Sequence, residues 1–133
     1  MWLLLKNPEN LSEKHDERQR LEQALAMARK RGDRRGEARS LYYLGDVALY
    51  QNDYPPAEDY FSRALDMYRV VADRQGEADS LTNLGVIRSE LGDYGAAGQY
   101  YKQVLTIFQT TGDRRGETMA LSNLGVIYAD LGN

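Results

Sequence analysis

The chain contains no cysteine, and it has only one histidine and three prolines among its 133 residues. Without cysteine, neither a disulfide nor a thiolate metal site can form, and a single imidazole cannot build a site that needs several. With one histidine and no cysteine, a histidine-based catalytic triad is not predicted either. His15 lies in a strongly charged stretch that is expected to be an exposed part of a helix. These absences exclude the commonest metal and nucleophile chemistries.

Long apolar runs are missing as well. The run Trp2 to Leu5 is too short for the apolar core of a signal peptide and far too short to cross a bilayer. The net charge of −3 and the pI near 5.2 argue against a nucleic-acid partner, which would favour a concentrated basic face. Composition therefore predicts one ordinary globular domain over residues 1–133, located in the cytoplasm, with neither nucleic acid nor membrane as partner.

The sequence repeats itself with a period of forty residues. Comparison of residues 33–93 with 73–133 gives 26 identities in 61 positions, where about four are expected by chance. The repeated block is clearest from Asp73 to Tyr94. A period of this length indicates a supersecondary unit that buries its apolar face by stacking on its neighbours.

Each repeat predicts two helices joined by a short turn. Glycine or asparagine followed by aspartate marks the turns, except at Val71-Ala72-Asp73, because these residue types suit a helix end and the following N-cap. Two or three residues of turn can join only antiparallel neighbours, so each unit is a predicted helical hairpin and the fold class is all-α. The first helices are expected over 34–51, 74–91 and 114–131, and the second helices over 54–71 and 94–111.

Apolar residues at spacings of three and four predict the buried face of each helix. In the middle first helix the predicted stripe is Ala78, Leu81, Leu84, Gly85 and Leu91. In the second helices it is Ala57, Tyr60, Phe61, Ala64, Leu65 and Tyr68, and then Ala97, Tyr100, Tyr101, Val104, Leu105 and Phe108. Pro55 and Pro56 are tolerated there, since the first turn of a helix has no intrahelical donors to lose.

A further helix is predicted before the first full repeat, from Asn10 or Ser12 to Arg31. Asn10 and Glu13 form a capping-box pattern, and an apolar set at helical spacing follows. This set, Leu21, Ala24, Leu25 and Ala28, aligns with the second helix of the next repeat. Pro8 is expected to end any earlier helix, so residues 1–9 are interpreted as a degenerate lead-in.

Glycines recur inside the predicted first helices, where each costs roughly 1 kcal/mol relative to alanine. They are Gly36, Gly76 and Gly116 near the helix starts, and Gly45, Gly85 and Gly125 further along. The simplest compensation is close approach of a neighbouring helix. Because these glycines follow no predicted strand, they indicate no phosphate-binding loop.

The phrases Leu44-Gly45, Tyr54-x-x-Ala57 and Phe61-x-x-Ala64-Leu65 resemble the tetratricopeptide repeat (TPR), and Asn83-Leu84-Gly85 with its following residues repeats the likeness. The forty-residue period resembles the variety found in LGN/Pins polarity scaffolds and in bacterial regulatory proteins. The resemblance implies a right-handed superhelical TPR solenoid of antiparallel helical hairpins. Its parts would be a degenerate second helix over 10–31, repeats over 33–72 and 73–112, and a half repeat over 113–133.

The resemblance also implies a function, which is binding a peptide segment of a partner protein in a concave groove lined by the first helices. Hydroxyls, amides and tyrosines suit this task, because they combine contact area with adaptable hydrogen bonding. Chaperone-binding members of the family hold two carboxylates of their ligand in a clamp that needs several basic residues. The acidic groove positions disfavour such a clamp here. The implied groove residues are Arg39, Tyr42, Tyr43, Asp46, Tyr50, Asp79, Thr82, Asn83, Val86, Glu90, Ser122, Asn123, Val126 and Asp130.

Structural alternatives remain open for several of these residues. Asn83 and Asn123 could instead bridge neighbouring helices, and Tyr42, Tyr43 and Tyr50 could be half-buried packing residues. The acidic positions could form a solvated face. The basic junctions, Arg29, Lys30, Arg31, Arg34, Arg35, Arg74, Arg114 and Arg115, are interpreted as a solvated edge rather than a phosphate site. Arg31-Gly32-Asp33 matches a cell-adhesion tripeptide. The end of one helix and the N-cap of the next explain these residues.

No enzyme activity, cofactor or metal is predicted. Glu37, Glu77 and Glu117 recur with the repeat, whereas a paired acid and base should occur once. The alternative function is a structural spacer or self-association element of a larger multidomain protein. Because both ends present uncapped helices, the sequence further predicts a piece of a longer repeat protein and a possible homodimer through its terminal helices. RNA binding is a third, disfavoured possibility, since the groove is acidic.

Overall fold

The computed structural model describes residues 8–132, with side chains from residue 12 onward. The described residues form six α-helices and no strand, in two compact units that divide between Val71 and Ala72. The first unit holds α1 (Pro8–Arg31), α2 (Arg34–Tyr50) and α3 (Tyr54–Val70). The second unit holds α4 (Arg74–Glu90), α5 (Tyr94–Thr111) and α6 (Arg114–Asp130). The predicted all-α fold class and five of the six helices are confirmed to within a residue.

The first helix begins earlier than predicted. It starts at Pro8 rather than at Asn10 or Ser12, so Asn10 lies inside the helix and cannot cap it. Proline is well suited to the first position of a helix, where its missing N–H has no intrahelical acceptor. Pro8 is the first described residue of α1, and the prediction that it ends any earlier helix concerns residues before it, which are not described. The rest of the predicted lead-in, residues 1–7, lies outside the described residues.

Aspartate caps organise the helix starts. The Oδ1 atoms of Asp33, Asp73 and Asp113 each accept a hydrogen bond from the backbone N–H three residues later, at 2.9 Å. Asp93 does the same at 3.2 Å. Asp53 makes no such bond. The reason is local, because Pro55 and Pro56 occupy the two positions whose N–H groups a cap would use.

The turns share one backbone conformation. Residues 32, 52, 72, 92, 112 and 132 all have positive φ, between 57° and 80°. Four of them are glycine, for which this region is free of strain, whereas Asn52 and Ala72 both have φ 57°. The helix boundary predicted at Arg31-Gly32-Asp33 is confirmed, since Gly32 ends α1 in this conformation and Asp33 caps α2.

Within each unit, helices that are consecutive in the chain pack together: α1 on α2, α2 on α3, α4 on α5, and α5 on α6. In the first unit Leu25, Leu41, Leu44 and Ala64 form the core, and in the second Ala97, Tyr101, Leu124 and Ile127 do. Most of the predicted stripes are buried. Leu91 and Ala24 are exposed, and five more stripe residues are half-buried, namely Leu21, Tyr60, Tyr68, Tyr100 and Leu105. Leu91 follows the last residue of α4 and so lies beyond the helical stripe.

Close approach at the helical glycines is confirmed at three positions. A Cβ added to Gly45 would lie 2.8 Å from the Phe61 ring, one added to Gly85 2.6 Å from the Tyr101 ring, and one added to Gly116 2.6 Å from the Phe108 ring. At Gly125 the prediction was wrong, since within the described part of the chain no heavy atom lies within 4 Å of such a Cβ. None of the described helices is both long and apolar enough to cross a membrane.

Candidate functional site

All fourteen predicted groove residues lie on α2, α4 and α6, and none of them is buried. Leucines on the opposite side of the same helices are almost fully enclosed, with Leu44 and Leu84 each 1% exposed. Seven groove residues are half-buried: Tyr42, Asp46, Asp79, Thr82, Asn83, Val86 and Asn123. The other seven are exposed: Arg39, Tyr43, Tyr50, Glu90, Ser122, Val126 and Asp130.

The tyrosines of α2 divide into two kinds. Tyr42 packs edge-on against Phe61 and Tyr68, with ring centroids 5.4 and 6.4 Å apart, and is in contact with the core of the first unit. Tyr43 and Tyr50 are 46% and 43% exposed. The packing alternative therefore describes Tyr42, whereas Tyr43 and Tyr50 offer large aromatic surfaces to solvent. Tyr42 and Tyr43 also meet edge-on at 5.6 Å, which fixes the position of Tyr43.

A shallow cleft of about 520 Å³ lies beside these two tyrosines. Its far wall comes from α1, where Lys14 and Glu17 form an ion pair at 3.1 Å. The Lys14 ammonium also lies 4.5 Å from the centre of the Tyr50 ring, within cation–π range. The groove prediction omitted Lys14 and Glu17, because it counted only first helices. The cleft is lined by Lys14, Glu17, Tyr43, Asp46, Val47, Leu49 and Tyr50.

The α4 face is polar and partly organised by its own hydrogen bonds. Gln75 donates from Nε2 to the Asp79 carboxylate at 2.9 Å, and the Thr82 hydroxyl donates to the Ala78 carbonyl at 2.8 Å. Burial raises the pKa of Asp79, the Gln75 hydrogen bond lowers it in part, and the charge of Asp73 raises it further. Burial and then the charge of Glu90 raise the pKa of Tyr101.

The α6 face is more open than the α4 face. Ser122 and Asp130 are exposed, Asn123 is half-buried, and Val126 is 59% exposed, although its counterpart Val86 on α4 is half-buried. The two asparagines, Asn83 and Asn123, occupy equivalent positions of successive repeats and have the same burial class. Whether they share one channel stays a prediction.

Arg29 and Arg74, two of the basic junction residues, take part in structural ion pairs. Arg29 of α1 lies 3.6 Å from Glu37 of α2, and Arg74 lies 2.8 Å from Glu77 within α4. Glu77 is itself buried, which the sequence interpretation as a simple helix-start residue did not anticipate. Among the described residues, no three histidine, cysteine, aspartate or glutamate side chains converge as metal ligands, and His15 is exposed.

The described helices form hairpins, their helix starts are capped and regularly spaced, and aromatic rings pack against glycines of the neighbouring helix. These features define an all-α helical repeat protein. The family model described as tetratricopeptide repeat matches residues 18–69 and 72–133. The chain therefore belongs to the tetratricopeptide-repeat family. No curated protein sequence matches it significantly.

Two solved structures show the same fold. One is the signal transduction ATPase with numerous domains (STAND) from Pyrococcus horikoshii, which has a tetratricopeptide repeat sensor. It has a TM-score of 0.78 and 23% identity, over 94% of this chain and 20% of that one. The other is BtubC (BKLC) from P. vanneervenii, with a TM-score of 0.80 and 22% identity, over 98% of this chain and 54% of that one. The chain thus spans a minor part of the first protein and about half of the second.

Proposed function

We propose that this chain is a protein-interaction module that binds a peptide segment of a partner protein along the exposed faces of α2, α4 and α6. The observation that carries this proposal is the exposure of the fourteen groove residues, none of which is buried although they share helices with nearly enclosed leucines. Members of the tetratricopeptide-repeat family generally mediate interactions between proteins, and the chain has that fold.

The residues of α2 provide the anchoring surface for such a peptide. Tyr43 and Tyr50 present large areas that lose little conformational entropy on binding, since a tyrosine has two side-chain torsions. The cleft beside them can accept one side chain of the peptide, and Lys14 and Glu17 at its far wall can pair with polar groups. Binding at this cleft would use residues of α1 and α2 from the first unit alone.

The chemistry of the face favours a neutral or basic peptide. Four groove residues are acidic, namely Asp46, Asp79, Glu90 and Asp130, and Arg39 is the one basic residue of the set. A peptide rich in carboxylates would be repelled by this balance, whereas lysine or arginine side chains would be attracted. Asn83, Ser122 and Asn123 add donors and acceptors that can hydrogen-bond to an extended backbone, and the Thr82 hydroxyl, which donates to the Ala78 carbonyl, can still accept.

The similarity to the STAND protein is consistent with this role, because the tetratricopeptide repeats of that protein are described as its sensor. We propose a comparable receiving role here, within a regulatory or scaffold protein of the bacterial or LGN/Pins-like variety, in the cytoplasm. No enzymatic activity is proposed.

The proposal can be tested with a phage-displayed library of random linear peptides selected on the purified chain. Binding of the selected peptides is then measured by fluorescence polarisation for the double variants Asn83→Ala/Asn123→Ala and Tyr43→Ala/Tyr50→Ala. We expect each to weaken binding about tenfold or more, equivalent to about 1.4 kcal/mol, with unchanged melting. The matched control is Gln99→Ala/Gln109→Ala on the exposed surface of α5. Equal binding by all three double variants would contradict the proposal.

The alternative function, a spacer or self-association element, makes the opposite prediction. In that case Asn83→Ala/Asn123→Ala would lower the melting temperature without removing a ligand.

A further inference from the structure

Basic side chains surround the turn between α1 and α2, and all of them are exposed. Three lie in the last turn of α1 and two at the start of α2. Asp33, the acidic residue of this segment, is engaged as the N-cap, since it accepts a hydrogen bond from the Gly36 N–H at 2.9 Å. Residues 29–35 carry a net charge of +4, and the rest of the chain carries −7. We call the five basic residues the junction patch: Arg29, Lys30, Arg31, Arg34 and Arg35.

The forty-residue period provides two further copies of this turn, at residues 69–75 and 109–115. Each contains two arginines and one aspartate, which give a net charge of +1. In all three copies the fourth residue has positive φ and an aspartate caps the helix that follows. The turn therefore forms without the additional cations of the first copy.

The exposure of the junction patch is a property of the turn itself. The counterparts of Arg29, Lys30, Arg34 and Arg35 are exposed in both later copies, each of which has helices before and after it in the chain. These counterparts are Arg69, Val70, Arg74 and Gln75, and then Gln109, Thr110, Arg114 and Arg115. The patch thus lies at positions that neighbouring repeats leave open to solvent.

Most of the junction patch has no carboxylate to pair with. In α4 the side chain of Arg74 lies 2.8 Å from Glu77. In α2 the equivalent Glu37 lies 3.6 Å from Arg29 instead. Among the described residues, no carboxylate forms an ion pair with the other four members of the patch. Two of those four lie at the positive end of α2, where folding disfavours a cation, so the patch attracts an anion from outside the chain.

We infer that the junction patch binds a segment of a partner protein that is rich in aspartate and glutamate. Four of its five residues are arginine, whose planar guanidinium can donate two parallel hydrogen bonds to one carboxylate. Because residues 29–35 are consecutive, the patch spans less than roughly 20 Å. An extended peptide of about six residues covers that length, and carboxylates on alternate residues lie on one side of it about 7 Å apart.

The charge of the surrounding surface favours a short acidic segment over a longer polyanion. Salt screens an exposed charge beyond about 8 Å under physiological conditions, so a ligand is attracted only by the charges beside it. A nucleic acid or an anionic membrane extends past the patch and meets a surface with a net charge of −7. The patch is also separate from the fourteen groove residues, which favour a ligand of opposite charge. Binding at the two surfaces can therefore succeed or fail independently.

The test measures binding of a fluorescein-labelled octaglutamate peptide by fluorescence polarisation in low-salt buffer. The variant Lys30→Thr/Arg31→Thr/Arg35→Gln gives the first turn residue types that the later turns already contain, so its fold should be unchanged. We expect it to bind about tenfold more weakly than wild type, since three exposed ion pairs are lost. Added salt should weaken wild-type binding. A wild-type chain that does not bind octaglutamate would overturn the inference and leave the patch as a solvated edge.

The matched control removes the same charge elsewhere. Arg20→Gln/Lys102→Gln/Arg115→Gln replaces three exposed cations outside the junction patch. It should bind octaglutamate like wild type, and circular dichroism should show equal helix content in all variants. Equal weakening by the two triple variants would overturn the inference, because net charge alone would then control binding.

A transplant tests whether the seven residues on this turn are sufficient. Gln109→Arg/Thr110→Lys/Thr111→Arg reproduces the sequence of residues 29–35 at 109–115. Added to the variant that lacks the first patch, it should restore binding, and failure to do so would contradict the inference. Oligothymidylate and phosphatidylserine vesicles test the other classes of partner. Tighter binding of either one than of octaglutamate, lost in the variant without the first patch, would also overturn the inference.

Discussion

Tyr101 of α5 lies directly against Gly85 of α4, and the space between them is too small for a methyl group. A Cβ at Gly85 would lie 2.6 Å from Cε1 of the tyrosine ring, which is itself buried. Phe61 and Gly45 have the same relationship in the first unit. Gly45 and Gly85 therefore each leave room for an aromatic side chain, and their cost in helix propensity is offset by this packing.

Gly85→Ala should destabilise the chain by about 1 kcal/mol. Overpacking a buried ring costs roughly 1–3 kcal/mol, which exceeds the gain of up to about 1 kcal/mol from alanine in a helix. Gly125→Ala is the matched control, since no heavy atom of the described residues lies within 4 Å of a Cβ added there, and it should instead stabilise the chain by about 0.5–1 kcal/mol. Urea denaturation measures both. Equal effects of the two substitutions would show that the Tyr101 ring can move aside freely.

Ala72→Gly should stabilise the chain, because Ala72 adopts the left-handed conformation that L-residues disfavour. We expect a gain of about 0.5–1 kcal/mol, reduced from the full strain by the greater freedom of glycine in the unfolded chain. Gly112→Ala, at the equivalent turn with φ 76°, should cost a similar amount. Thermal melting of both variants checks the prediction, and a lower melting temperature for Ala72→Gly would refute it.

Asp113→Ala should cost about 1 kcal/mol of stability through loss of its N-cap bond to the Gly116 N–H. Asp53→Ala should cost clearly less, because Pro55 and Pro56 leave Asp53 without a donor to accept from. The comparison separates the cap hydrogen bond from the general effect of a negative charge near a helix start. Similar losses in chemical denaturation would mean that the charge alone matters.

Ser80→Ala should stabilise the chain by about 1 kcal/mol. The Ser80 hydroxyl is fully buried and has no hydrogen-bond partner among the described residues, a situation that costs roughly 1–3 kcal/mol. The third repeat already has alanine here, at Ala120, which is also buried. Ser40→Ala is the control, since Ser40 retains some contact with solvent, and its gain should be smaller. A loss of stability in Ser80→Ala would disprove the stated cause.

Asp79→Asn should raise the melting temperature modestly at neutral pH. Burial raises the pKa of Asp79, so the folded chain favours the protonated carboxyl. Binding of that proton adds to the free energy of unfolding. This contribution is fully present below the ordinary aspartate pKa of about 3.9, and it is lost as the pH rises through the folded-state pKa. Asparagine keeps an acceptor for Gln75 without the charge.

The difference between Asp79→Asn and wild type should therefore be largest near neutrality and shrink as the pH falls toward 4 or so. Asp66→Asn, at an exposed position of α3, is the control and should leave the melting temperature nearly unchanged. Melting curves across this pH range provide the measurement. A difference that grows on acidification would have the wrong sign.

Much of the fold could be predicted from the sequence because each structural pattern recurs with the forty-residue period. The caps, turns and apolar stripes occur in two or three copies, so chance patterns such as the adhesion tripeptide could be recognised and set aside. The errors fell where the repeat is incomplete or interrupted. Asn10, which lies inside α1 instead of capping it, precedes the first full repeat. Leu91 lies past the end of α4, and no heavy atom of the described residues lies within 4 Å of a Cβ added to Gly125.

The candidate site was less predictable, since exposure depends on which neighbours are present. Position and spacing placed Tyr42 and Tyr43 together, but only the packing of Phe61 and Tyr68 distinguishes the half-buried ring from the exposed one. Lys14 was missed for a similar reason. Its place over Tyr50 depends on how α1 crosses α2, which no local pattern encodes.

The identical left-handed turns every twenty residues have a consequence for how such a gene can change length. Removing residues 33–72 would join Gly32 directly to Asp73, and that junction repeats the Gly112-Asp113 dipeptide already present in the chain. Unequal recombination between copies would therefore create no new loop geometry and would leave every cap with its own helix. Shortening or lengthening by forty codons therefore keeps the same kind of turn at each junction.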